Sequence, residues 1–427
     1  MTVDKENTTP VVAIIGLGYV GLPLAMLFAS KRVSVIGIDV DTEKIEMLHS
    51  GKSYLTDIHD REVAALFDTG CFSATDDFSK IRSAEAIILC VPTPLRDHSY
   101  PDLSYVQAAA NSLVPHLHDG HLVVLESSTF PGTTEEVLLP IFSRSGLQVG
   151  KDFYLGYSPE RIDPGNKQYS LEDIPKVISG ISPNCLQKVK EVYGLAFRHL
   201  ISVTTPKAAE MTKLLENCQR FVNISFMNEF AMICAEMGID VWEVIEAAKT
   251  KPYGFTAYYP GPGIGGHCIP VDPLYLQWKA KQYDMETRFI HLSKVINDQM
   301  PDYIISRIIK AMGNKKPVTQ QRILLLGLTY KKDVNDTRES PALAIYEKLD
   351  SMELSVCYHD PLVPQVKVNG REAKSVELSP ESLSAFDCVV LLTDHTGLPY
   401  EMIGKHARLL FDTRRVFTEQ QDNLILL

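Results

Sequence analysis

The run Val11-Val12-Ala13-Ile14-Ile15-Gly16-Leu17-Gly18-Tyr19-Val20-Gly21 decides the fold. Its apolar part reads as a short buried strand ending in glycine, and helix-compatible sequence follows through Ser30. The six residues from Gly16 to Gly21 match G-x-G-x-x-G between that strand and that helix. Gly16 permits the tight turn, Gly18 lets a pyrophosphate approach the backbone, and Gly21 allows helix to pack on strand. Tyr19 and Val20 lead into a helix N-terminus whose unpaired N–H groups and positive dipole end suit phosphates. A second run, Val33 to Ile38, ends at Asp39. A carboxylate about 20 residues downstream is placed to accept hydrogen bonds from the adenosine ribose. Asp41 adds negative charge that disfavours a 2′-phosphate, so NAD is expected over NADP. The competing reading is a Gly-rich turn in an unrelated α/β domain; the strand, helix and acid together favour the nucleotide.

Outward from this stretch, Ala86–Val91 and Leu122–Leu125 are further buried strands, with a weaker one at Asp152–Tyr157. Strands alternating with helical segments imply parallel βαβ units. Val91-Pro92-Thr93-Pro94 and Ser127-Ser128-Thr129 follow two of these strands. They read either as walls of a nicotinamide site or as plain strand-to-helix turns. From Pro206 the character changes. Residues 206–249 and 286–312 read as helical, the latter interrupted at Pro301, and they flank a Gly/Pro/aromatic loop over 250–276. After the polar linker Gly313–Gln321 the strand–helix alternation returns, with strands at Arg322–Gly327, Val356–His359, Cys388–Leu392 and Leu409–Asp412 and a helix at Pro341–Leu349. The expected division is 1–205 (NAD-binding), 206–312 (helical) and 313–427 (α/β again).

Composition narrows the class. With 427 residues, 45% hydrophobic and 22% charged, the chain reads as a soluble globular protein of more than one domain. A net charge of −11 argues against nucleic acid or an anionic membrane as main partner. The N-terminal MTVDKENTTP lacks a signal peptide's apolar core, and no window reaches the roughly 18 apolar residues of a membrane span. Eight cysteines without a CxxC pair form neither a disulfide framework nor a zinc pattern. A reduced, cytoplasmic, metal-free protein is expected.

The loop Gly261-Pro262-Gly263-Ile264-Gly265-Gly266-His267-Cys268-Ile269-Pro270-Val271-Asp272 carries the chemistry. Its glycines let backbone N–H groups approach a ligand, and Cys268 at its end reads as a nucleophile or as a small buried hydrophobe. Asp272, four residues on, can relay a proton if the loop turns helical there. Lys213 and Asn217 share one face of the preceding helix and can hold a substrate hydroxyl; the bland alternative is a solvated surface lysine. A dinucleotide site beside a thiol points to an aldehyde oxidised further. Thiolate addition, hydride loss and hydrolysis of the thioester would take an alcohol to an acid with two NAD.

Seven segments in order, IIGLGYVGLP (14–23), VPTP (91–94), ESSTFPGTT (126–134), YSPERIDPGN (157–166), AEMTKLLENCQRFVNISFMNE (209–229), GPGIGGHCIPVDP (261–273) and LGLTYKKDVNDTRESPA (326–342), resemble the UDP-glucose/GDP-mannose dehydrogenase family over essentially the whole chain. The resemblance implies two Rossmann-like doubly wound domains joined by a long central helix that also builds a homodimer. It implies that Cys268 is the covalent nucleophile, and that Lys213, Asn217 and Asp272 handle the C6 hydroxyl, the oxyanion and a catalytic water. Glu160 is then the acid/base for thioester hydrolysis and Thr129 the water-positioning hydroxyl. Pro92, Thr93, Thr129 and Arg338 join the glycines and Asp39 at the cofactor. Arg161, Arg220, Tyr259, Gly265 and Lys331 join Glu160, Lys213 and Asn217 at a UDP-sugar, with Arg414 or Arg415 also in reach.

The glucose branch usually carries GGSC, whereas His267 precedes the cysteine here. Arg161 and the Asn-rich 216–229 stretch are similar to the N-acetylhexosamine branch, and residues 250–260 lack the arginine of mannosamine enzymes. UDP-N-acetylglucosamine is therefore favoured. The aromatics of 250–260 pack either an acetamido group or a second subunit. A two-electron β-hydroxyacid-type dehydrogenase and a catalytically dead NAD sensor are the competing functions.

Overall fold

Short apolar runs become strands buried on both faces, as a sheet covered by helices requires. The computed structural model describes residues 10–55, 57–96, 100–162, 169–313, 317, 320–419 and 421–427. The N-terminal segment 1–9, the end of the YSPERIDPGN motif after Ile162 and most of the polar linker lie outside them. The chain divides into two compact units, Met1–Glu216 with Leu274–Met285 and Asn217–Pro273 with Glu286–Leu427.

The first unit holds β1 (Val12–Ile15), β2 (Val35–Ile38), β3 (Phe72–Thr75), β4 (Ala86–Leu89), the short pair β5 (Leu95–Arg96) and β6 (Tyr100–Pro101), β7 (Leu122–Leu125), β8 (Tyr154–Tyr157), β9 (Lys176–Gly180) and β10 (Leu200–Ser202). Eight of these form one sheet in the order β10-β9-β8-β7-β4-β1-β2-β3. Every neighbouring pair is parallel except β8 with β9, which is antiparallel. The order reverses direction between β1 and β4, the switch point at which doubly wound folds hold ligands. Helices α1 (Gly21–Ser30), α2 (Thr42–His49), α3 (Asp60–Asp68), α4 (Ser104–Leu113), α5 (Leu139–Phe142) and α6 (Pro183–Tyr193) surround the sheet. Alternate residues of β1 feed two cores. Val12 and Ile14 pack with α1 and α6, Ala13 and Ile15 with α4 and α5.

The helix α7 (Pro206–Met237) contains the division between the units. The helical stretch predicted over 206–249 is not continuous. Gly238, at φ +70°, ends α7, and the Ile239 N–H closes back onto the Cys234 carbonyl at 2.8 Å. Asp240 then caps α8 (Val241–Lys249) by accepting from the Trp242 N–H. Met227, Ala231 and Cys234 of α7 pack on Val241, Trp242 and Ile245 of α8. The predicted loop 250–276 ends early, because α9 (Asp272–Lys281) begins inside it. Pro301 does not interrupt α10 (Arg288–Met312).

The second unit's sheet contains β11 (Arg322–Leu326), β12 (Ser355–His359), β15 (Cys388–Leu391), β16 (Leu410–Asp412) and β17 (Leu424–Leu426), all parallel in the order β12-β11-β15-β16-β17. A hairpin of β13 (Gln365–Val368) and β14 (Arg371–Lys374) stands beside it. α11 (Pro341–Ser351) and α10 share a core with Ile323 and Leu325, while α12 (Pro380–Ala385) and α13 (Tyr400–His406) share one with Leu324 and Leu326. Among the described residues no helix is long and apolar enough to cross a membrane, and no His/Cys/Asp/Glu group is arranged to hold a metal.

Candidate active site

In the first unit, two of the three fingerprint glycines are demanded by the fold itself. A Cβ on Gly16, at φ +92°, would stand 2.8 Å from the Cys90 carbonyl oxygen, and one on Gly21 would stand 1.8 Å from the Gly16 oxygen. Gly18 has nothing within 4 Å of that position, so it faces open space. No acid occupies the first turn of α1 and no side chain caps it. That cradle fits a pyrophosphate. Asp39 accepts hydrogen bonds from the Leu17 N–H at 2.9 Å and the Asp41 N–H at 3.0 Å, so it shapes the turn. Lys44, which the sequence reading did not weigh, lies 3.4 Å from Asp39 and 3.8 Å from Asp41.

The loops after β4 and β7 are stitched together. Thr93 donates to the Ser128 carbonyl and Ser127 to the Val91 carbonyl, each at 2.7 Å, with Pro92 between. Thr129 is buried, its hydroxyl 2.6 Å from that of Thr133. Glu210 anchors this turn by accepting from the Gly132 N–H at 2.5 Å and from the Thr134 N–H and hydroxyl at 2.9 and 2.7 Å. Sequence reading missed Glu210, although it is the second residue of the AEMTK motif. Three residues further along α7, Lys213 is 8% exposed, which removes the surface-lysine reading.

Glu160 is also buried. One carboxylate oxygen accepts from the Arg161 and Ile162 N–H groups at 2.6 and 2.5 Å, and the other from Lys176 Nζ at 3.2 Å. Burial alone would raise its pKa, but the charges of Lys176 and then Lys213 outweigh that and hold it below the ordinary carboxylate range. Arg161 is committed elsewhere in the same unit, to Glu216 at 2.7 Å and the Pro175 carbonyl at 2.8 Å.

In the second unit, Cys268 is exposed, whereas Cys90, Cys185, Cys218, Cys234 and Cys388 are buried. The small-hydrophobe reading therefore fails for Cys268. The Cys268 carbonyl accepts from the Asp272 N–H at 2.9 Å, so the loop does turn helical where Asp272 opens α9. Asn217 Nδ2 donates to Asp272 Oδ2 at 2.6 Å, and both side chains are buried.

The glycines of this loop have a different reason from the one expected. A Cβ on Gly265 would meet the Glu339 carbonyl at 2.6 Å, and one on Gly266 the Tyr330 ring at 2.6 Å. Gly263, at φ +133°, lies against Pro341. The space they leave is filled by the LTYKKDVNDTRESP segment rather than open to a ligand, and the Gly266 N–H donates to the Arg338 carbonyl at 3.2 Å. Asn228 and Asn297 accept from the Gly261 and Ile264 N–H groups at 2.9 and 2.6 Å, bracing the loop from two helices. Burial, and then Arg338, hold the His267 pKa below its ordinary value.

Arg338 forks onto Asp336 at 2.7 Å, and Lys331 is half-buried on the same segment. Of the Arg pair, Arg414 approaches Gly261 and donates to the Leu392 carbonyl at 2.7 Å, whereas Arg415 pairs with Asp240 at 2.7 Å. Arg220 is exposed on α7. Tyr259 donates to Glu246 at 2.8 Å and stacks on Trp242. The second sheet repeats the turn of the first. Gly327 sits at φ +81° against Thr393, and Asp360 accepts from the Leu328 N–H at 2.6 Å.

A Rossmann nucleotide cradle, an exposed thiol beside a held carboxylate, and a second nucleotide-type sheet define an NAD-dependent oxidoreductase of nucleotide sugars. The chain belongs to the UDP-glucose/GDP-mannose dehydrogenase family, whose NAD binding domain matches residues 11–196, central domain 207–299 and UDP binding domain 324–419. It is 35% identical to a UDP-N-acetyl-D-glucosamine 6-dehydrogenase of Pseudomonas aeruginosa, covering 97% of this chain and 99% of that protein. It is 34% identical to an NDP-N-acetyl-D-galactosaminuronic acid dehydrogenase of Ralstonia nicotianae, over 96% and 97%. The solved structure of a UDP-D-ManNAc dehydrogenase from Pyrococcus horikoshii superposes with a TM-score of 0.88 at 32% identity, over 97% of this chain and 98% of that one.

Proposed function

We propose that the protein oxidises the C6 hydroxyl of a UDP-N-acetylhexosamine, UDP-N-acetylglucosamine first, to the UDP-uronic acid in two NAD-dependent steps. The exposed Cys268, one turn before a carboxylate held by Asn217, carries this reading. NAD supplies the hydride acceptor for both steps. Lys213 and Asn217 hold the C6 oxygen; the hydroxyl proton passes to solvent, Lys213 stabilises the alkoxide, and loss of the first hydride from C6 gives the aldehyde. Cys268 Sγ then adds to the aldehyde carbon, and loss of hydride from the thiohemiacetal leaves a thioester. Asp272 takes the thiol proton, and Thr129 orients the water that Glu160 deprotonates for hydrolysis. One alcohol, two NAD and one water become one carboxylate, two NADH and three protons.

The N-acetylglucosamine preference is supported by the absence of arginine from 250–260. Lys331, Arg414, Arg220, Arg161 and Tyr259, with Gly265 through its main chain alone because its Cα face is packed, are proposed to bind the UDP-sugar, and Arg338 the cofactor after exchanging its Asp336 partner. A homodimer is part of the proposal, with exposed Phe226, Ile233 and Met237 of α7 and Phe289 and Leu292 of α10 as its apolar surface. A panel of UDP-glucose, UDP-GlcNAc, UDP-GalNAc and UDP-ManNAc with NADH readout tests the assignment. Highest kcat/KM with UDP-GlcNAc is expected; preference for UDP-glucose would overturn it.

A further inference from the structure

We propose that Glu126, Lys176 and Glu160 form a buried proton relay that drains the hydrolytic step, with Glu126 as the terminal acceptor. The inference rests on the four-electron reading above. Its geometry comes from the one antiparallel joint in the first sheet. Gly156 pairs with Gly180 and Tyr157 with Ser179. Continuing that register past Tyr157 sets Lys176, the first residue of β9, opposite Glu160. A parallel β9 would have put this lysine at the other end of the sheet. Glu126 directly follows β7, the neighbour of β8.

Lys176 Nζ lies 2.8 Å from Glu126 Oε2 and 3.2 Å from Glu160 Oε2. All three side chains are nine-tenths or more buried. The other neighbours of Glu126 are the Tyr193 hydroxyl from α6, donating at 2.5 Å, and the Cys90 thiol after β4. Glu160 additionally faces Lys213 from α7. The rings of Tyr193 and Phe197 cover Lys176 at 5.7 and 5.2 Å.

Lys176 bridges the two carboxylates, and Lys213 adds a second cation beside Glu160, so Glu126 has the smaller share of positive charge and is the carboxylate placed to hold a proton in turnover. Burial and the neighbouring Glu160 push Glu126 up to about 7, despite Lys176. Glu160, held ionised, is by itself a weak base for water. When it takes a proton from the attacking water, Lys176 first gives one of its own protons to Glu126, and the amine lone pair so freed takes the proton from Glu160. Glu160 returns to carboxylate, Lys176 stays ammonium, and Glu126 ends as the acid.

The test uses the full-length enzyme with UDP-GlcNAc and excess NAD, followed by rapid quench and intact-mass measurement of the Cys268 adduct. Glu126→Gln keeps the shape but cannot accept the proton. Lys176→Arg keeps the charge but cannot release one. In both, the two hydride steps and the KM values should stay within about twofold. The thioester should accumulate, hydrolysis slow roughly tenfold or more, and the pH–kcat inflection near 7 disappear. Wild-type hydrolysis in Lys176→Arg, a retained inflection in Glu126→Gln, or parallel slowing of hydride transfer with a fallen Tm would overturn the relay. Failure of the underlying reading looks different: wild-type enzyme would release one NADH and form no adduct.

Discussion

Asn217 Nδ2 donates to Asp272 Oδ2 at 2.6 Å, joining the middle of a long helix to the first residue of another, four positions after the exposed thiol. The bond uses one oxygen of a fully buried carboxylate and fixes its direction. If Asp272 moves a proton in the reaction, Asp272→Asn keeps the volume and removes the base. Turnover should then fall by roughly 10²–10⁴-fold with little change in KM, measured by steady-state kinetics. Near-wild-type kcat would make Asp272 a structural residue only.

Cys268→Ser replaces a thiol with a poorer nucleophile at the same place. Uronate formation should be lost while NAD affinity, measured calorimetrically, stays within about twofold of wild type. Substantial uronate from this variant would exclude the covalent step.

The fingerprint glycines should separate by substitution. Gly16→Ala meets a backbone oxygen at 2.8 Å and a positive φ, so the strain should cost about 1–3 kcal/mol and lower Tm. Gly18→Ala meets no protein atom, so it should leave Tm unchanged while weakening NAD binding tenfold or more. Equal loss of Tm in both would remove the assignment of Gly18 to the cofactor.

His121 is buried just before β7, and burial, then the neighbouring His118, push its pKa down to about 4. In the unfolded chain it titrates at 6.5. Between those values the unfolded state binds the proton and the folded state does not, so stability is full above 6.5 and falls as pH drops towards 4. Urea midpoints across this window should decline in wild type and decline less in His121→Phe. Equal slopes would acquit His121.

Much of this was legible because local rules and global fold agree. The Gly16–Gly21 run follows a buried strand, and the cysteine loop advertises itself by composition. Legibility failed where long-range geometry decides. Lys176 carries no local signal; only an antiparallel joint between strands twenty residues apart brings it to Glu160. Gly238 did carry one, a glycine two residues before an Asp cap, but the apolar periodicity on both sides concealed the break. By composition the loop glycines suggest room for a ligand, whereas tertiary packing against Tyr330, Glu339 and Pro341 requires them. Glu210 reads as one more helix-face acid until the turn it anchors is seen.

The proposed chemistry has one active site take an alcohol to an acid through a thiol. Counting NADH released per UDP-GlcNAc consumed, under single-substrate exhaustion, tests it most directly. Two NADH per sugar, with uronate as the product, is the expected result. One NADH per sugar, with a carbonyl product, would contradict it and return the protein to two-electron chemistry.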